Sequence, residues 1–484
     1  MGRLQPRFKS QAPGRTRRSP GELYDAGLRH FLSKRYGPAE HRCRQALTLD
    51  PQHADCLHLL GLVHWQTDRP DLAVDLIAAA IRCNPGNPDY FLNLGELLRG
   101  QNKLDEARKS FDIAIGLAPD RAAPWIKLGN LLRMQRSYDE ALLTYAHALT
   151  LDPNNAEAPA LSGGVLFELG RYQEALAGCE LSLAISPDQV EALCVKGDCL
   201  RNLGRPAEAA ASYRRAAALA PERVSVWRLL GNVLEQTGDR DGAIEALRRA
   251  RDLDPADPFG AGVELMRLGA DELSEMPPAY VRLLFDQYAD NFDTALVQGL
   301  GYRGPQLLFE AVRSACAAQR KPARFDRAID LGCGTGLAAA GFADMVEQFT
   351  GIDLSPHMIE KARATGRYAR LDVTGMLEGL RSTPDCGAEL VLAADAMVYL
   401  ADLLPILRQA RRVLACGGLL AFTLESHDGD GFVMGEGRRY AHSACYVRAS
   451  VEAAGLALLQ LDRQPIRTEH GVPVPGLVMV AAKP

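Results

Sequence analysis

The chain has 484 residues, a formal net charge of −5 and 47% hydrophobic residues, which is typical of a globular protein of about three domain-sized units. The small acidic excess gives no electrostatic basis for nucleic-acid binding, and no apolar run approaches the roughly 18 residues that cross a membrane. The eleven cysteines are scattered without a C-x-x-C pair, which argues against a disulfide framework or a zinc ribbon and favours a reducing, cytoplasmic compartment.

The first segment, residues 1–19, is rich in arginine and contains no acidic residue. It lacks the apolar core of a secretory signal, so we interpret it as a disordered basic tail. In a eukaryotic source the same composition would also suit a transit peptide.

The N-terminal half repeats itself every 34 residues. Glycine recurs at Gly27, Gly61, Gly95, Gly129, Gly163, Gly197 and Gly231, alanine at Ala39, Ala73, Ala107, Ala141, Ala175, Ala209 and Ala243, and proline at Pro51, Pro85, Pro119, Pro153, Pro187, Pro221 and Pro255. Small residues suit closely crossing helices, and each proline ends the second helix of a pair. The pattern resembles seven tetratricopeptide repeats over residues 20–257, which predicts an all-α solenoid.

A solenoid of this kind implies a groove that binds a protein or peptide partner. Arg99, Arg133 and Arg201 are in register and would favour an acidic peptide; alternatively they belong to a solvated helix face. We predict no metal site, because His53, Cys56 and His58 have no fourth ligand nearby. The oligomeric state is not encoded in these patterns.

The 34-residue register lapses over residues 258–278, which we predict to be a linker ending at the stiff pair Pro277-Pro278. The next stretch, from Tyr280 to Asp293, has helical periodicity and many aromatic residues.

An apolar run then ends in an acid and three alternating glycines, at Asp330, Gly332, Gly334 and Gly336. This predicts a buried parallel strand, a tight turn on which a ligand can lie, and a helix from about Leu337. The spacing D-x-G-x-G-x-G departs from the G-x-G-x-x-G of dinucleotide sites. It resembles motif I of class I S-adenosylmethionine-dependent methyltransferases.

Strand and helix signals continue to alternate to the end of the chain, which predicts a doubly wound, mostly parallel sheet. We expect strands near residues 348–353, 368–373, 389–395, 417–425, 456–461 and 477–482. The segment Gly351-Ile-Asp-Leu-Ser-Pro-His-Met358 resembles the second strand and turn of the methyltransferase family. The resemblance implies an α/β Rossmann-like class I domain with a seven-stranded sheet, over residues 279–484, whose last strand is antiparallel.

The same resemblance implies that S-adenosyl-L-methionine is the cofactor. Its predicted binding residues are Asp330, Gly332, Cys333, Gly334, Gly336, Asp353, Leu354, Met358, Asp372, Val373 and Asp395, with Tyr288 on a lid helix. Within this set Asp330 would suit the ammonium group and Asp353 the ribose hydroxyls. The alternatives are that Asp353 is only a helix N-cap and that the helix with Tyr288 only docks onto the domain.

Two residues are candidates for the acceptor side: Tyr399 after the fourth strand and His442 in the last long loop. His442 could act as a base at neutral pH or make only a structural hydrogen bond. The absence of an N-P-P-Y or D-P-P-Y signature leaves a small molecule or a protein side chain as acceptor.

The arrangement of repeats and catalytic motifs resembles a group of predicted repeat-containing bacterial methyltransferases. We therefore predict a methyltransferase whose repeats recruit a protein or peptide partner or substrate. The alternatives are a small-molecule methyltransferase localised by its repeats and a scaffold that binds the cofactor without catalysis.

Overall fold

The computed structural model describes residues 18–273, 275–289, 292–435, 437–469 and 471–484. The predicted basic tail lies, up to residue 17, outside the described residues. The chain divides into two compact units, Met1–Leu219 and Ala220–Pro484. None of the helices in the described residues is long and apolar enough to cross a membrane.

The first unit consists of helical pairs whose members alternate between 12–13 and 14 residues. Its helices are α1 Pro20–Leu32, α2 Tyr36–Leu49, α3 Ala54–Gln66, α4 Pro70–Cys83, α5 Pro88–Gly100, α6 Leu104–Leu117, α7 Ala122–Met134, α8 Tyr138–Leu151, α9 Glu157–Glu168, α10 Tyr172–Ile185, α11 Val190–Asn202 and α12 Pro206–Leu219. These pairs confirm the predicted tetratricopeptide architecture.

The repeated small residues hold each pair of helices together. A Cβ at Gly95 would lie 2.4 Å from the ring of Phe111, and one at Gly129 would lie 2.5 Å from the ring of Tyr145. These positions therefore accept no side chain without displacement of a neighbouring helix. The repeated alanines are fully buried, as at Ala141.

The second unit begins with another helical pair, α13 Val224–Gln236 and α14 Arg240–Leu253. It continues with α15 Ala261–Arg267, α16 Pro278–Tyr288 and a π-helical turn over Thr294–Gly299. The segment that we predicted as a linker, residues 258–278, thus contains α15, and its boundaries stay a prediction. The N-terminus of α15 is capped by the buried Asp257, whose carboxylate accepts from the amides of Ala261 and Gly262.

Strands and helices alternate through the rest of the unit. In chain order they are α17 Gly304–Ala318, β1 Phe325–Leu331, α18 Leu337–Gly341, β2 Val346–Asp353, α19 Pro356–Ala364, β3 Tyr368–Val373, α20 Met376–Ser382, β4 Ala388–Ala393, a 3-10 turn Met397–Tyr399, α21 Leu404–Val413, β5 Leu414–Ser426, β6 Phe432–Met434, β7 Tyr440–His442, α22 Ala444–Ala453, β8 Ala457–Arg463, β9 Arg467–Glu469, β10 Val472–Val474 and β11 Gly476–Ala482.

The main sheet has the order β3-β2-β1-β4-β5-β11-β8. Strands β1 to β5 run parallel, and β11 pairs antiparallel with both β5 and β8. The short β6 and β7 extend the sheet beside β5, and β9 and β10 form a separate hairpin. The predicted α/β fold and its antiparallel last strand are confirmed.

Successive residues of the central strand β4 belong to two different buried clusters. Val391 packs with residues of α21 and α22, whereas Leu390 and Leu392 pack with residues of α17. The sheet is therefore covered by helices on both faces, as the near-continuous apolar strands predict. This arrangement leaves the carboxyl ends of β1, β2 and β4 as the open edge at which a ligand can bind.

Candidate active site

The loop between β1 and α18 turns on three glycines in the left-handed region. The φ angles of Gly332, Gly334 and Gly336 are 65°, 51° and 96°. A Cβ at Gly332 would lie 2.4 Å from the Cβ of Ala396. Both the backbone conformation and the space therefore require glycine at this turn, and the bare backbone of residues 332 to 334 forms part of a cavity wall.

Asp353 holds this loop at the end of β2. Its Oδ2 accepts a hydrogen bond from the Gly334 amide at 2.9 Å, and its Oδ1 accepts one from the Ser355 amide at 2.9 Å. The N-cap of α19 is Ser355, not Asp353. Burial raises the pKa of Asp353, while the two amides oppose that shift. The carboxylate is thus fixed beside the glycine loop and also lines the cavity.

The cavity has a volume of about 670 Å³ and lies at the carboxyl ends of β1, β2 and β4. That volume is within the range of about 300–1,000 Å³ of small-molecule sites. Of the predicted site residues, the structure brings seven together in its lining: Gly332, Cys333, Gly334, Asp353, Leu354, Asp395 and Tyr399.

The segment before the sheet domain covers the glycine loop. Asp286 of α16 accepts from the Ser355 hydroxyl at 2.5 Å and lies 3.1 Å from His357 Nδ1. The Thr335 hydroxyl donates to Asp293 at 2.5 Å. Two aromatic residues of this segment, Phe285 and Phe292, line the cavity.

Tyr288, our candidate lid residue, points elsewhere. It is 57% exposed and does not line the cavity, so its assignment stays a prediction. On the same helix, Phe285 lines the cavity. The helical periodicity of the sequence predicted the aromatic helix but does not by itself show which of its rings faces the cavity.

Asp330 is buried behind the loop rather than in the cavity lining. Its Oδ2 accepts from the Tyr368 hydroxyl at 2.7 Å, and its Oδ1 has no hydrogen-bond partner among the described residues. Burial raises the pKa of Asp330 to about 7, against the opposing hydrogen bond from Tyr368.

One end of the cavity carries a cluster of ion pairs that the sequence did not reveal. Arg467 of β9 is completely buried and pairs with Asp395 at 2.8 Å, with Glu469 at 2.9 Å and with Glu425. Arg439, which lines the cavity, pairs with Glu425 at 3.1 Å and with Glu469 at 2.7 Å. We call these five residues the charged end wall.

The two predicted acceptor-side residues differ in position. Tyr399 lines the cavity, and its ring meets Phe285 edge-on with centroids 5.6 Å apart. Burial raises the pKa of Tyr399, so its phenol is neutral. His442 is fully buried outside the lining, its Nε2 donates to the Ala401 carbonyl at 3.2 Å, and burial lowers its pKa to about 4.

The remaining predicted cofactor residues surround the site without lining it. Gly336 is the N-cap of α18, and Met358 is a fully buried residue of α19. Asp372 pairs with Arg370 at 2.9 Å, and Val373 is 53% exposed. Their roles, like those of the lining residues, stay predictions.

Known families match both parts of the chain. A methyltransferase domain model matches residues 329–422, and tetratricopeptide repeat models match residues 24–88, 92–156, 194–258 and 132–196. The chain therefore combines tetratricopeptide repeats with a methyltransferase domain.

Among curated proteins, the chain is similar to the human Methyltransferase-like protein 27, with 32% identity over 23% of this chain and 45% of that protein. It is also similar to the 27-O-demethylrifamycin SV methyltransferase of Amycolatopsis mediterranei, with 33% identity over 20% of this chain and 37% of that protein. The matches thus span less than half the length of these two relatives.

Among solved structures, a tetratricopeptide repeat protein from Parabacteroides merdae aligns with 15% identity and a TM-score of 0.42, over 52% of this chain and 99% of that chain.

Proposed function

We propose that this chain is an S-adenosylmethionine-dependent methyltransferase whose repeats recruit a protein or peptide partner or substrate. The observation that carries the proposal is the meeting of the glycine loop and Asp353 in one cavity, inside the region that the methyltransferase model matches. Fold alone would not support an activity, because α/β sheets of this kind serve many chemistries.

The residues of the cavity fit the cofactor. Gly332 and Gly334 leave a backbone surface that a Cβ would fill, which suits close approach of the amino-acid portion. The Asp353 carboxylate has lone pairs left for sugar hydroxyls after its two amide bonds. Leu354 offers an apolar surface for the adenine.

When bound, S-adenosylmethionine would supply an electrophilic methyl group, carried on a sulfonium, for transfer to the acceptor. The protein's part is to orient the acceptor and to exclude water. Phe285 and Phe292 serve the second purpose, because they cover the loop with apolar surface. The Ser355–Asp286 and Thr335–Asp293 hydrogen bonds hold that cover in place.

The repeats support recruitment of a partner through their helical surface rather than through unpaired arginine side chains. Arg99, Arg133 and Arg201, which we considered as selectors of an acidic peptide, pair with Glu96, Glu168 and Asp198 at 3.1, 3.1 and 3.7 Å. These pairs favour the alternative of a solvated face for the three arginines.

A small-molecule acceptor is the second candidate. It is favoured by the enclosed aromatic lining of Phe285, Phe292 and Tyr399 and by relatives such as the Ubiquinone biosynthesis O-methyltransferase of Xanthomonas oryzae, with 32% identity. In that case the repeats would localise the enzyme.

The test is label transfer from methyl-tritiated S-adenosylmethionine into a lysate of the source cells. Label in the protein fraction supports recruitment of a protein substrate, and label in an extractable metabolite supports the second candidate. Binding of the cofactor with no transfer to either fraction would refute catalysis and favour a scaffold. Gly334→Val, which blocks the loop, is the matched negative control.

A further inference from the structure

We propose that the charged end wall selects an acceptor that presents a hydrogen-bond donor, a hydroxyl or an amine, and that Asp395 receives it. The inference rests on the proposed function and names the substrate class of the same site.

Asp395 is held in an unusual conformation at the end of β4. Its φ angle is 57°, in the left-handed region, and its amide donates to the Thr423 hydroxyl at 2.8 Å. Non-glycine residues in this region are uncommon and tend to mark functional sites. The surrounding contacts therefore impose the position of this carboxylate.

The two oxygens of Asp395 are used differently. Oδ2 accepts from Arg467 at 2.8 Å, whereas Oδ1 is buried and has no hydrogen-bond partner among the described residues. A buried acceptor without a partner is costly, so it calls for a donor. Because Asp395 lines the cavity, a ligand in the cavity is the source of that donor.

The charge of the end wall disfavours an anionic group. Three carboxylates (Asp395, Glu425 and Glu469) stand against two guanidiniums (Arg439 and Arg467), a net charge of −1. Both guanidiniums are already paired within the wall. An acceptor carrying a carboxylate or phosphate would meet uncompensated negative charge, whereas a neutral hydroxyl or a cationic amine would not.

Aromatic residues beside the charged end wall provide a surface against which an apolar part of the acceptor can pack. Tyr302 and Tyr399 both line the cavity. Tyr302 is placed next to β9 by two backbone hydrogen bonds, from the Arg303 amide to the Ile466 carbonyl at 2.9 Å and from the Thr468 amide to the Leu300 carbonyl at 2.7 Å. The burial that raises the pKa of Tyr302 also keeps its phenol neutral.

The sequence predicted Asp395 as a cofactor residue, but its partners point to the acceptor. They are Thr423 on β5 and Arg467 on β9, and the glycine loop is held instead by Asp353. The two carboxylates thus belong to separate networks, which can be perturbed independently.

The experiment uses the full chain loaded with S-adenosylhomocysteine and four probes of similar size: toluene, benzyl alcohol, benzylamine and benzoate. Ligand-observed NMR titrations give the four dissociation constants, and calorimetry gives that of S-adenosylhomocysteine. We expect benzyl alcohol and benzylamine to bind about tenfold tighter than benzoate. Toluene should bind more weakly than the alcohol and the amine but more tightly than benzoate. In Asp395→Asn the preference for benzylamine over toluene should be lost, with S-adenosylhomocysteine binding changed less than about twofold.

Two further variants keep the test decisive if Asp395→Asn does not fold. Glu425→Gln removes one negative charge from the wall and should bring benzoate closer to benzylamine, whereas Asp428→Asn removes a charge from an exposed ion pair with Arg463 and should not. Equal binding of benzoate and benzylamine, or loss of S-adenosylhomocysteine binding in Asp395→Asn with the probe ranking intact, would overturn the inference. Failure of the wild-type chain to bind S-adenosylhomocysteine would instead refute the proposed function, and this inference with it.

Discussion

Replacing Asp330 by asparagine is expected to change how the stability of β1 depends on pH. The side chain is 1% exposed, and its burial raises its pKa from 3.8 to about 7. Between these two pKa values, Asp330 therefore stays protonated in the folded chain but is ionised in the unfolded chain. By linkage, this carboxyl lowers stability progressively as pH rises between the two values, and the effect is complete above the folded pKa.

The expected magnitude follows from the pKa difference. Three pKa units correspond to about 4 kcal/mol at full ionisation, of which only about 1.6 kcal/mol is present at about pH 5. Asparagine removes this pH-dependent cost and keeps an oxygen for the hydroxyl of Tyr368. Its amide group introduces a separate cost of about 1–3 kcal/mol, which does not vary with pH. The variant should therefore gain about 2–3 kcal/mol relative to wild type between pH 5 and pH 8.

The assay has to report on the sheet domain, because Trp65, Trp125 and Trp227 all lie in the helical repeats. Hydrogen exchange with mass spectrometry on the peptide covering β1 gives its opening free energy at each pH, after correction for intrinsic rates. Asp428→Asn, at an exposed position, should show no pH-dependent gain. Parallel pH profiles for wild type and Asp330→Asn would refute the assignment of a buried, protonated Asp330.

Three further substitutions test packing, charge and burial, each by urea unfolding of the full chain. Gly129→Ala should lose about 1–3 kcal/mol because its Cβ would meet the Tyr145 ring, whereas Gly116→Ala, where the space is open, should not lose stability. Arg467→Met should lose about 3–5 kcal/mol because it leaves the largely buried carboxylate of Asp395 without its ion-pair partner. His442→Asn should reduce the loss of stability between pH 7 and pH 4, because the buried imidazole, with its pKa lowered to about 4, stays neutral while the unfolded chain protonates.

The fold was predictable because its signals are local and repeated. A glycine every 34 residues predicts positions where two helices cross closely. At Gly129 the structure shows the reason, because a side chain there would have no room beside Tyr145. Likewise, the apolar residues directly before Asp330 in β1 are buried on both faces of the strand. A strand of this kind has a near-continuous apolar sequence, which predicts a parallel strand. Each of these features depends on neighbours within one supersecondary unit.

The site was predictable only where a motif marks a strand end. Gly332 and Gly334 lie in the turn that follows β1, and Asp353 is the last residue of β2, so their convergence at one sheet edge follows from topology. Arg467 had no such signal, because its partner Asp395 is 72 residues away and both meet only when the β9 hairpin folds over the end of β4. Nothing local distinguishes a buried arginine of this kind from a solvated one.

The same limit explains residues 258–278, where loss of the repeat register and a Pro-Pro pair predict a spacer. Within the second unit this segment is held by side chains on both sides of it: Arg240 donates to the Leu268 carbonyl, and the Tyr440 hydroxyl donates to the Leu273 carbonyl at 2.9 Å. The Met276 amide then donates to the Tyr399 carbonyl at 2.9 Å, and Met276 itself lines the cavity. Because composition describes only the segment and not the groups that form hydrogen bonds with it, a cavity wall and a linker look alike in the sequence.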